Sequence, residues 1–149
     1  MSNTEYILIY SKPHPLDLGK YALMRMISVC ENTGAGMVYS DYFENKNNQL
    51  SPYPVIDYQE GSLRDDFNFG SMILYRDSAF QYAYKKMNRQ YRFAGLYDLR
   101  LKLSEHHSIM HLPEMLYTET ESDTRKSGEK QFDYVDPKNR QVQIEMEDA

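Results

Sequence analysis

Phe93-Ala94-Gly95-Leu96-Tyr97-Asp98-Leu99-Arg100-Leu101-Lys102-Leu103-Ser104, followed by His111-Leu112-Pro113-Glu114-Met115-Leu116-Tyr117, is the stretch on which the reading of this chain turns. Leu99 and Leu103 lie four apart, so they share one face of a helix, with Arg100 and Lys102 off it. That periodicity predicts a helix over residues 96–104 with Asp98 in its first turn. The apolar run over residues 108–117 predicts a strand directly after it.

The same alternation extends upstream. Residues 5–11, Glu-Tyr-Ile-Leu-Ile-Tyr-Ser, form a continuous apolar run of the kind that suits a strand buried on both faces. Pro13 and Pro15 end it. Leu23, Met26, Ile27 and Cys30 recur at helical spacing over residues 18–32, with Asp17 as N-cap and Gly34 as the C-terminal stop. Residues 37–43 and 70–75 read as strands and residues 78–87 as a short helix. Residues 52–58 read as an extended edge, because their prolines cannot join a central ladder. Residues 45–49 are turn-like and 61–68 a polar loop. The expected class is α/β, with a mixed, mostly parallel sheet flanked by helices. The expected organisation is an α/β domain over residues 1–120. A polar loop and a closing helix over residues 121–149 belong to the same domain.

The chain has 149 residues with 41% hydrophobic and 26% charged, which fits one globular domain with a real core. A net charge of −5 argues against a general nucleic-acid binder, which needs a basic face to neutralise phosphates. Cys30 is the only cysteine, so no intrachain disulfide forms. There is no leader pattern and no apolar run approaching the roughly 18 residues of a membrane span, so the expected location is cytoplasmic. Fourteen tyrosines and no tryptophan supply rings that either fill half-buried strand positions or stack on sugars. His106, His107 and His111 do not make a zinc set, since no cysteine completes a tetrahedron and His14 is far away in sequence.

The order of a strand, a helix, the strand holding Tyr39-Ser40-Asp41-Tyr42, a loop, a further strand and helix, the helix holding Asp98, and the strand ending in Pro113-Glu114-Met115-Leu116-Tyr117 resembles the second half of a family 2 glycosyltransferase. The resemblance covers about residues 5–120. Residues 122–137, Ser-Asp-Thr-Arg-Lys-Ser-Gly-Glu-Lys-Gln-Phe-Asp-Tyr-Val-Asp-Pro, resemble the tail of a Bacteroides-type subgroup of those enzymes. The resemblance implies a partial GT-A domain and transfer of a sugar from a nucleotide donor to the hydroxyl of a glycan acceptor in surface-polysaccharide synthesis. It also implies that the chain is an excised part of a longer protein, inactive alone, because no stretch resembles the family's nucleotide-binding half. The truncated sheet edge then points to a homodimer. The alternative is a non-catalytic glycan- or partner-binding descendant.

The resemblance carries roles to particular residues. The family's Asp-x-Asp, which holds Mg²⁺ or Mn²⁺ against the donor diphosphate, falls on Ser11, Lys12 and Pro13. Either metal would therefore belong to the complete protein. Lys12 is then a direct phosphate contact or a solvated lysine. The family's Glu-Asp falls on Gly95 and Leu96, leaving Asp98 as the candidate catalytic base, or else as an acid favoured by the helix dipole. Asp41 is a residue of the cleft or a turn former. Apart from the resemblance, the paired carboxylates Asp65 and Asp66, beside Arg64 on a loop, either bind sugar hydroxyls or a cation or form a solvated cluster. Arg125 and Lys126 either hold the leaving diphosphate or belong to a linker.

Overall fold

A computed structural model describes residues 4–64, 66–87, 89–120 and 140–149. The elements in chain order are β1 (Tyr6–Tyr10), β2 (Leu16–Leu18), α1 (Ala22–Thr33), β3 (Met37–Lys46), β4 (Gln49–Tyr53), β5 (Met72–Arg76), α2 (Asp77–Lys86), α3 (Gly95–Ser104), β6 (Ile109–Thr120) and α4 (Arg140–Asp148). The class is α/β with a mixed sheet flanked by helices, but the elements do not strictly alternate: β3, β4 and β5 follow one another, as do α2 and α3.

The sheet is not mostly parallel. Its order is β1-β5-β3-β6-β2, with β4 also on β3. Only β3 and β6 run parallel; β1–β5, β5–β3, β3–β4 and β2–β6 are antiparallel. A buried antiparallel strand and a parallel one show the same continuous apolar run, so periodicity cannot set direction. Direction comes from the connections. Asn47 and Asn48 take left-handed φ of 51° and 60°, the turn that folds β4 straight back onto β3. The long loop after β4 then returns β5 against β3.

Three local expectations also change. Asp17 does not cap α1: it lies in β2, paired with Thr118, and the helix starts at Ala22 behind Tyr21, whose φ is 64°. Tertiary pairing with the end of β6 outweighs the capping preference. Residues 5–11 are not buried on both faces, because β1 is an edge strand and Leu8 is exposed. Of the extended edge expected at 52–58, only Pro52 and Tyr53 are strand, at the end of the wholly exposed β4; residues 54–58 are not strand. Gly34 does terminate α1, at φ 68°.

The core is built from Met37, Val38 and Tyr39 of β3, Met72–Tyr75 of β5 and Ile109, Leu112 and Tyr117 of β6. Met26 and Cys30 of α1, Ala79 and Ala83 of α2, and Leu99 and Leu103 of α3 close over it. Of the closing helix, α4 places the Glu145 carboxylate on the backbone N–H groups of Phe93 (2.7 Å) and Ala94 (3.3 Å), ahead of α3. The segment over residues 121–139, with Arg125 and Lys126, lies outside the described residues, as does Asp65. No helix among the described residues is long and apolar enough to cross a membrane.

Candidate functional site

The parallel pair at the centre of the sheet carries a break, and the polar site lies beside it. Tyr39 pairs with His111 and Ser40 with Leu112, but Asp41 then meets Met115 and Tyr42 meets Tyr117. Pro113 lies in the skipped segment and has no N–H to give the ladder, so the strand bulges there. Tyr39 and Asp41 are two residues apart and project to one face. His111 stands beside Tyr39 on the neighbouring strand, its ring stacked on the phenol at 4.9 Å between centroids.

Asp41 and His111 are buried together. Asp41 Oδ1 lies 2.7 Å from His111 Nε2 and accepts the Val55 N–H at 2.9 Å. His111 Nδ1 meets Asp57 Oδ1 on its other side. The side chain of Asp57 is 80% exposed while that of His111 is 7% exposed, so the imidazole links a buried carboxylate to one in solvent. A carboxylate only accepts hydrogen bonds. Both contacts are hydrogen bonds at once only when the ring carries two protons or one carboxyl keeps its own.

The loop that delivers Asp57 is tied down from below. Tyr39 Oη donates to the Ile56 carbonyl (2.8 Å) and accepts the Tyr58 N–H (2.7 Å), bracketing Asp57. Burial pushes the Tyr39 phenol well above the usual tyrosine range, so it stays protonated and able to donate. Phe69 meets Tyr39 edge-on at 4.9 Å and Phe67 lies 4.3 Å from Phe69, fixing the far end of the loop. Between these anchors opens a cleft of about 680 Å³, whose wall includes Tyr53, Asp57, Gln59, Arg64, Asp66 and Asn68.

The residues singled out in the sequence separate. Asp41 is the buried end of the linked pair of carboxylates. Asp66 lies on the cleft wall, gripped by Arg64 at 2.7 and 2.9 Å, and that contact holds its carboxyl below the usual range. Lys12 is elsewhere, 2.5 Å from the buried Glu119 carboxylate. Asp98 is 2% exposed in the first turn of α3, with Lys102 at 3.6 Å and its Oδ2 without a hydrogen-bond partner among the described residues; it is not on the cleft wall. His111, Asp57 and Tyr39 were not read as site residues. Their signal was weak: a histidine between Met110 and Leu112 and a tyrosine in phase with Asp41, each interrupting an apolar strand.

The residues aligned with the metal motif do not fit Mg²⁺ or Mn²⁺. Those cations need oxygen ligands, whereas Lys12 presents an ammonium group and Ser11 gives its hydroxyl to the Ser71 carbonyl. Among the described residues no group of three or more His, Cys, Asp or Glu side chains is arranged to hold a metal ion. No protein-family model matches the chain, and a search of the curated proteins finds no match to it.

Proposed function

We propose that this chain is the acceptor-side part of a family 2, GT-A-type sugar-transfer domain, and that the cleft over Asp57 receives the glycan acceptor. The observation that supports the reading is the exposed Asp57 carboxylate, oriented by His111, which is in turn oriented by the buried Asp41. A general base must be held within hydrogen-bond reach of the hydroxyl it deprotonates. Asp57 is a positioned, solvent-facing carboxylate on a cleft wall that also offers Tyr53 and the Arg64–Asp66 pair to sugar rings and hydroxyls. In transfer, the acceptor oxygen bonds to the donor's anomeric carbon and its proton passes to Asp57. The bond from that carbon to the nucleotide diphosphate breaks. Asp98, buried beside Lys102, serves the α3 terminus in this scheme. Surface-polysaccharide synthesis in the cytoplasm, with a homodimer as the assembly, completes the proposal.

A second reading is a glycan-binding descendant without catalysis. Lys12 paired to Glu119 where the family carries metal ligands favours it, as do Gly95 and Leu96 where it carries Glu-Asp. Titration of the purified protein with oligosaccharides, followed by donor turnover assays, tests both. Asp57→Asn is expected to weaken glycan binding or turnover at least tenfold, and Asp98→Asn to leave binding intact. Binding without turnover selects the second reading. If no oligosaccharide binds and no nucleotide sugar is consumed, both are wrong.

A further inference from the structure

The free side of β1 carries a self-complementary sequence. The strand reads Tyr6-Ile7-Leu8-Ile9-Tyr10, the same in either direction about Leu8. Its inner side is fully used by β5. The Glu5 carbonyl accepts the Asp77 N–H and the Ser11 N–H donates to the Ser71 carbonyl, both at 2.9 Å, in the same register that pairs Ile7 with Tyr75 and Ile9 with Ile73. Alternate residues of an antiparallel strand bond to a given neighbour. The odd-numbered residues therefore serve β5, and the N–H and C=O groups of Tyr6, Leu8 and Tyr10 point away from it. No strand among the described residues lies on that side. Natural edges are blunted by charge, proline or a bulge. Residues 6–10 contain no charge and no proline, and their register with β5 is unbroken.

We propose that a second copy of this chain pairs its β1 antiparallel to this one, about a two-fold axis through Leu8. Leu8 then exchanges two hydrogen bonds with Leu8 of the second copy. Tyr6 exchanges two with the second copy's Tyr10, and Tyr10 two with its Tyr6. Every outward-pointing group of the strand finds a partner, and two cross-strand tyrosine pairs form on one face. Such an interface uses the same patch on both copies and closes at two. This seam gives the homodimer of the preceding reading its surface and is independent of the sugar chemistry there.

Sedimentation of the full chain over a concentration series tests it, together with amide exchange along β1. Leu8→Pro removes the outward N–H at an edge-strand position, where proline is tolerated. Leu8→Lys sets like charges against each other across the axis at a residue already 38% exposed. The wild type is expected to dimerise, with the Tyr6, Leu8 and Tyr10 amides protected alongside those of Ile7 and Ile9. Both variants are expected to be monomeric, with unchanged circular dichroism and only the odd-numbered amides protected. If Leu8→Pro unfolds, Leu8→Lys decides. A wild type that stays monomeric at every concentration overturns the proposal, and so does a dimer that persists in the folded variants.

Discussion

Replacing Tyr39 by phenylalanine removes one oxygen and should release the loop that holds Asp57. That oxygen accepts the Tyr58 N–H at 2.7 Å and donates to the Ile56 carbonyl at 2.8 Å, on a side chain with no solvent exposure. The Ile56 residue is exposed, so its carbonyl can turn to water. The Tyr58 N–H loses its acceptor over the Phe67–Phe69 cluster, where a stranded donor costs about 1–3 kcal/mol. Adding the net worth of the second bond, about 0.5–1.5 kcal/mol, gives a loss of about 1.5–4.5 kcal/mol. For a chain of this size that is a fall in Tm of roughly 3–18 °C. Thermal unfolding followed by circular dichroism measures the first effect. Amide exchange at Tyr58 measures the second and should quicken, because the loop is held to β3 at that point. A Tm unchanged within about 1 °C, with Tyr58 still protected, would refute the claim that the phenol anchors the loop.

Gly70→Ala places a Cβ 2.2 Å from the Tyr117 hydroxyl at a φ of +74°, and should cost about 1–3 kcal/mol or more in chemical unfolding. The Tyr117 hydroxyl cannot simply move away, since it accepts the Ser71 N–H at 3.0 Å in a buried site that pushes its pKa up to about 12. Acidification should undock α4. The Phe93 N–H is the main group holding the Glu145 carboxyl below its ordinary value, so the stabilisation is complete above the ordinary carboxylate range and is lost as pH falls through the lower folded value. Amide exchange at Phe93 and Ala94 against pH should show protection fading only in that acid window; protection unchanged through it would remove Glu145 from the contact.

Much of the element order was legible from local pattern. The helical spacing of Leu23, Met26, Ile27 and Cys30, the stop at Gly34 and the apolar runs at 37–43, 70–75 and 108–117 each rest on interactions within a few residues, and each appears in the fold. Asp41 was singled out for its place toward the carboxyl side of a strand, where open α/β sheets place ligands, and through the family resemblance. Strand direction was not legible, because a run such as Met72–Tyr75 is equally apolar whichever way its neighbour runs; the Asn47-Asn48 turn and the return loop decide it. The partnership of Asp41, His111 and Asp57 was not legible either. Those residues are 70 and 54 positions apart in their two contacts, and they meet only because β3 and β6 pair in parallel, bulge at Pro113 and receive a loop pinned by Tyr39. Local periodicity records what each segment buries. Which polar groups share a site depends on register and on loop anchoring, and those are properties of segments distant in sequence.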